Sequence, residues 1–183
     1  DEPKDEFERT GFNTFERIVR KEGIGVEYLT FFYVMKYLDR QISSPNKMSP
    51  NYLAIHDKRG YPQDTAHTNH EGISFNLNTA VIQRYVQGIR DGNIDPRTLI
   101  SMLELMLHEK AHCRESYSSH LAHGNDFFVG RKKGLRDQTL TYFQTKGIDP
   151  LAQVNEIVHN APNVEKPLYR GEQLGQLVRK HKV

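Results

Sequence analysis

The chain contains a single cysteine, Cys113, among its 183 residues. An internal disulfide is therefore excluded, and any metal site has to be built mostly from histidines and carboxylates. Long hydrophobic runs are also missing. No apolar stretch reaches the roughly 18 to 20 residues of a membrane-spanning helix, and the stretch 28–38 is interrupted by Lys36. We therefore expect no membrane span.

The chain also lacks a large excess of either charge. With 25 Lys and Arg against 23 Asp and Glu, the formal net charge of +2 is too small to indicate nucleic-acid binding by itself. No segment combines a basic start, an apolar centre and a small-residue cleavage site, so we predict no signal peptide. The expected location is cytoplasmic or associated with the nucleoid or nucleus, with a secreted effector as the alternative.

Apolar spacing predicts mainly helices. Helical periodicity covers residues 5–21, 26–40, 77–90, 96–116, 124–145 and 150–159, and Asp-Pro pairs at 95–96 and 149–150 supply a cap and a first-turn proline. Short apolar segments at 51–55 and 72–77 are of the strand type, and the polar stretch between them is typical of a loop. These elements predict an α+β protein in which a small sheet packs on the helix at 96–116, with additional helices at its flanks. We expect an N-terminal helical extension at 1–45, a domain at 46–160 and a basic, mobile tail at 161–183.

The helix predicted at 96–116 contains the pattern H-E-x-x-H, formed by His108, Glu109 and His112. Four residues are slightly more than one helical turn, so both histidines project from one face and can bind one metal ion. Glu109 is then next to the open position of the ion, where it can accept a proton from water. By composition alone, about 0.03 such matches are expected in this chain. The pattern therefore predicts a catalytic zinc site.

A catalytic zinc site needs a third protein ligand. The metzincin extension is excluded because Glu115 and Ser118 occupy the positions of its glycine and its third histidine. His123 is favoured, because Gly124 permits a sharp entry into the next helix and Phe127 is expected to anchor that helix in the core. The candidates that stay open are His120, Glu115, Asp126 and Glu156.

The motif with His108, Glu109 and His112, followed eleven residues later by His123-Gly124-x-x-Phe127, resembles the signature of the SprT-like metalloproteases. This group includes Spartan and is close to the WLM proteases, and the resemblance covers residues 52–143. It implies a compact zincin-like fold of the minimal gluzincin type, with His108, His112 and His123 as Zn²⁺ ligands and Glu109 as the general base. It also implies protein substrates, including proteins crosslinked to DNA. Lys110 departs from the family pattern, and the chain has no four-cysteine zinc ribbon after the domain.

We therefore predict a zinc-dependent endopeptidase that acts on a protein or peptide substrate. In this hypothesis residues 73–77 form the sheet edge beside the cleft, and an extended substrate adds to that edge as a further strand. Tyr117, His120 and His70 are candidate oxyanion partners, and His67 with His70 has the spacing of a second metal site.

Two other functions stay open. One is a phage-encoded or secreted effector protease with one dedicated target. The other is a degenerate zincin that keeps the metal as a structural element of a binding or scaffold module, which Lys110 encourages and the retained Glu109 opposes. A basic group on the helix predicted at 124–145 is the candidate DNA contact, and it consists of Arg131, Lys132, Lys133 and Arg136.

Overall fold

The structure, a computed structural model, describes residues 14, 16–17, 19–21, 25–56, 65–68, 72–113 and 126–160. The first three groups are helical. The elements that follow are, in chain order, α1 (Val26–Ser43), β1 (Tyr52–His56), β2 (Ala66–Thr68), β3 (Gly72–Asn76), α2 (Ala80–Arg90), α3 (Pro96–His112), α4 (Asp126–Lys146) and α5 (Pro150–His159). The protein is thus α+β, as predicted.

The helix starts follow the sequence signals closely. The Asp95 carboxylate accepts a hydrogen bond from the backbone N–H of Thr98 at 2.7 Å, and Pro96 occupies the first turn of α3. Asp149 caps α5 in the same way, with Pro150 in its first turn. Both predicted cap-plus-proline starts are confirmed, because an aspartate accepts the N–H groups that have no intrahelical partner and proline needs none.

In the part of the chain that the structure describes, the sheet has three strands in the order β1, β3, β2. β1 runs parallel to β3, and β2 runs antiparallel to it, with Thr68 opposite Ile73. The prediction that residues 73–77 form the edge beside the site is wrong, because β3 is the central strand and is buried at all five positions. The edge strand that packs against α3 is β2, which lies in the stretch predicted as a polar loop. Its three residues are only partly buried and show no apolar alternation, so their pattern does not indicate a strand.

Helix α1 lies in the core. It packs against α2, α3, α4 and α5, and its aromatic residues Phe31 and Phe32 meet Phe75 of β3 edge to face, at 5.4 and 6.1 Å between ring centroids. The broad apolar surface predicted for this segment is therefore confirmed as core packing. The predicted N-terminal extension at 1–45 therefore includes a core helix, α1, that packs against α2, α3, α4 and α5.

None of the helices in the described parts of the chain is long and apolar enough to cross a membrane.

Candidate metal centre

Helix α3 brings the two motif histidines together. The Nε2 atoms of His108 and His112 lie 3.2 Å apart, and their ring centroids are 4.8 Å apart at an interplanar angle of 75°. His112 is 6% exposed, and His108 is half-buried. The i, i+4 spacing therefore places both ring nitrogens at one point on the helix surface.

This separation fits two ligands of one ion. With zinc–nitrogen distances of about 2.0 to 2.1 Å, a tetrahedral centre places two ligand nitrogens about 3.3 Å apart. The observed 3.2 Å is also short enough for a hydrogen bond between one protonated and one unprotonated Nε2. Imidazole is the neutral nitrogen donor that zinc commonly binds, so the chemistry of the pair agrees with its geometry.

Phe128 of α4 covers the histidine pair. Its ring centroid is 4.7 Å from that of His112 and 5.1 Å from that of His108. The expectation that Phe127 anchors this helix is wrong, because Phe127 is 69% exposed and Phe128 is 3% exposed. α4 begins at Asp126, and in its first turn Phe128 faces the core whereas Phe127 does not. Phe128 thus shields one side of the imidazoles from solvent.

Glu109 is buried and directed toward the sheet. The side chain is 4% exposed, and its Oε2 accepts a hydrogen bond from the Thr68 hydroxyl at 2.6 Å. The same hydroxyl oxygen lies 3.1 Å from the Glu109 carbonyl oxygen. The carboxylate of the motif is therefore held between α3 and the edge strand β2.

Lys110 points to the opposite side, into the core. Its side chain is 0% exposed, and Nζ lies 2.5 Å from Oδ1 of Asp39 on α1 and 2.5 Å from Oδ1 of Asn51. Asp39 also accepts hydrogen bonds from the Asn51 backbone N–H at 2.6 Å and the Ser43 hydroxyl at 3.3 Å. Lys110 is thus a structural residue with a buried counter-ion.

The end of α3 is held by neighbouring side chains. Arg131 of α4 donates to the Ala111 carbonyl at 2.9 Å, and its positive charge at the C-terminal end of α3 also interacts favourably with the helix dipole.

Cys113 is half-buried and accepts a hydrogen bond from the Asn51 amide at 3.2 Å. Burial raises the pKa of the Cys113 thiol, which keeps it protonated. This agrees with the prediction that Cys113 packs on a different face of the helix.

The predicted basic group of α4 is engaged in contacts within the chain. Glu104 receives a bidentate pair from Arg136 at 2.8 and 2.9 Å, and Lys132 lies 2.9 Å from its Oε2. Lys133 pairs with Asp137 at 2.6 Å. Burial acts to raise the pKa of Glu104, but hydrogen bonds from Arg136 and Lys132 outweigh it and hold that pKa below its usual value. The group therefore links α4 to α3.

The described residues add no third ligand candidate to the histidine pair. His123, His120 and Glu115 lie outside the described residues, as do the oxyanion candidates Tyr117 and His70. Asp126 and Glu156 are described, and within those ranges no three metal-binding side chains form one group. His67 lies on β2, and its proposed partner in a second metal site, His70, lies outside the described residues.

Sequence patterns did not reveal Thr68, Phe128, Asp39 and Asn51. One signal was available, because a lysine in the middle of an apolar helix next to a motif needs a buried acidic partner. The identity of that partner depends on how α1 packs on α3, which periodicity does not show.

No protein-family model, characterised protein or solved structure matches this chain.

Proposed function

We propose that this protein is a zinc-dependent endopeptidase with a compact zincin-like fold of the SprT-like, minimal gluzincin type. The observation that supports it most strongly is the 3.2 Å separation of the His108 and His112 Nε2 atoms, with the buried Glu109 as the residue that follows His108 on α3. A purely structural metal site has no need for a general base next to its first ligand.

In this proposal His108, His112 and His123 bind the metal. His123 precedes Phe128 by five residues, which an extended chain spans in at most about 18 Å. Phe128 contacts both imidazoles, so a connection of this length is compatible with His123 as the third ligand. Glu156, the distant alternative, is exposed on α5.

Glu109 is the general base. A zinc ion, when bound, supplies the Lewis acidity that polarises a peptide carbonyl and makes water acidic enough to lose a proton near neutral pH. The Glu109 carboxylate accepts that proton during attack and returns it to the leaving amine when the peptide bond breaks. Phe128 keeps bulk water from one side of the imidazoles.

The substrate is proposed to be an extended protein segment. Within the described residues β2 pairs with β3 alone, and it lies beside α3 next to Glu109. A peptide that adds to the outer edge of β2 forms backbone hydrogen bonds and runs past the motif. This edge replaces residues 73–77 in the role that was predicted for them.

The basic group of α4 is the proposed site of a DNA contact. Glu104 and Asp137 already pair with Lys132, Lys133 and Arg136, so contact with phosphate at this group has to compete with ion pairs inside the chain. Cleavage is to be measured with and without single-stranded DNA, and faster cleavage with DNA would favour the DNA-associated substrates that the resemblance implies.

The decisive experiment combines metal analysis with proteolysis. We expect one equivalent of zinc in the wild type, a sharp loss in His112→Ala and His123→Ala, and no loss in the matched control His159→Ala, whose imidazole bonds to the Gly92 carbonyl. Glu109→Gln should keep the zinc and abolish cleavage of an unfolded protein substrate. A wild type without zinc would overturn the proposal. Zinc retained without any cleavage would favour the scaffold function instead, and cleavage of one protein only would favour the effector.

A further inference from the structure

The Thr68 hydroxyl is fixed in direction by its own strand. Oγ1 lies 2.6 Å from Oε2 of Glu109 and 3.1 Å from the carbonyl oxygen of the same residue. A hydroxyl has one hydrogen to donate, so the shorter contact with the charged oxygen takes it. Threonine is branched at Cβ, which restricts its χ1 angle and limits the directions that the hydroxyl can adopt.

The Glu109 carboxylate is removed from water, and Thr68 supplies it with a hydrogen bond. Glu109 is 4% exposed and Thr68 is partly buried. A buried carboxylate needs hydrogen bonds to hold its charge and its orientation. The donor comes from β2, the strand whose outer edge is proposed to bind substrate, and the pairing of Thr68 with Ile73 sets its position along the sheet.

We propose that Thr68 is a positioning residue for Glu109, and that through it the edge strand β2 sets the orientation of the general base. This inference rests on the proposed peptidase function. Thr68 touches no reacting atom in this scheme. It acts by holding the Glu109 carboxylate in the orientation in which it accepts a proton. The strand that is proposed to bind the extended peptide, β2, therefore also orients the general base.

The test uses two substitutions at Thr68 that separate the effect of the hydroxyl from that of the methyl group. Thr68→Val keeps the branched shape and removes the donor, whereas Thr68→Ser keeps the donor and removes the methyl group. We expect Thr68→Val to lower kcat by about 10- to 100-fold, the loss typical of a hydrogen bond to a charged group, with KM changed less than about twofold. Thr68→Ser should restore most of the activity. The control Thr30→Val removes a buried hydroxyl that bonds to the Val26 carbonyl on α1, and it should leave kcat unchanged.

A second readout does not use activity. In zinc-free protein, Thr68→Val and Glu109→Ala should each lower the urea midpoint, and the double variant should lower it by less than the sum of the two. If zinc binding and proteolysis are absent while this non-additivity is present, the proposed function fails and the contact survives. Additive shifts, an unchanged kcat in Thr68→Val, or a Thr68→Ser variant as slow as Thr68→Val would each reject the positioning role.

Discussion

The ammonium group of Lys110 lies 2.5 Å from a carboxylate oxygen of Asp39, and both side chains are almost fully removed from solvent. The pair joins α1 to the metal-binding helix α3. An isolated charge in such a position is very unfavourable, so the contribution of each partner to the stability of the fold depends on the presence of the other.

Lys110→Met should lower the free energy of unfolding by about 3 to 5 kcal/mol, because it leaves the buried Asp39 carboxylate without its counter-ion. The matched control is Lys133→Met, which removes an exposed i, i+4 pair with Asp137 and should cost less than about 0.5 kcal/mol. Urea unfolding of the zinc-free proteins measures both.

Neutralising both partners should restore part of that loss. In Lys110→Met/Asp39→Asn the buried charge is gone. The single amide oxygen can still accept from the Asn51 N–H, while the amide NH2 takes the place of the oxygen that faces the Ser43 hydroxyl. We expect the double variant to be more stable than Lys110→Met alone. A double variant that is less stable would show that the acid matters for its other hydrogen bonds rather than for its charge.

Phe128→Ala should destabilise the protein by about 3 to 5 kcal/mol, since it empties a buried aromatic site. It should also weaken zinc binding, because the imidazoles of His108 and His112 lose the ring that packs on them. Phe127→Ala is the neighbouring control. That ring is exposed and contacts Arg131 at 4.5 Å, so its loss should cost about 1 kcal/mol or less. Equal effects of the two substitutions on zinc affinity would contradict the assignment of Phe128.

Stability should fall in acid partly through Glu104. Its pKa in the folded protein is lower than its usual value of 4.5, so the unfolded chain binds the proton first as pH falls. The stabilisation that Glu104 gains from Arg136 and Lys132 is therefore complete above pH 4.5. It disappears as the pH falls through the lower pKa that Glu104 has in the folded protein. Solvent screening limits it to about 1 kcal/mol or less. The pH dependence of urea unfolding should be shallower in Glu104→Gln over this window.

Gly72→Ala should be strongly destabilising. A Cβ at Gly72 would lie 2.0 Å from the backbone oxygen of Tyr52, so β1 and β3 would have to separate. Gly134→Ala in α4 is the control, because a Cβ there has no neighbour within 4 Å. It should stabilise the protein by up to about 1 kcal/mol through higher helix propensity. Thermal unfolding distinguishes the two, and a well-folded Gly72→Ala variant would show that the strands are less closely paired.

Local patterns were sufficient for most helices. The starts at Asp95 and Asp149 follow from cap chemistry, and the placement of His108 and His112 on one face follows from helical geometry. These features depend on residues within one or two turns. The strand β2 could not be found in this way, because Ala66, His67 and Thr68 are stabilised by pairing with β3 and by contact with α3 rather than by a pattern of their own.

The same distinction applies to the site. Glu109 was identifiable from the motif, whereas Thr68 is 41 residues earlier in the chain, and Asp39 is 71 residues before Lys110. Such partners are chosen by tertiary packing. A sequence indicates that a buried lysine needs an acid, but the fold decides which acid.

The separation of Asp39 and Lys110 also has a consequence during synthesis. At about 5 to 20 residues per second, the ribosome needs about 4 to 14 seconds to add the 71 residues between them. Phe31 and Phe32 can pack on Phe75 earlier in that interval, but the Asp39 carboxylate has no buried counter-ion until Lys110 is made. The part of the core between α1 and α3 can therefore close only late, and the nascent chain should be a substrate for chaperones until α3 has been translated.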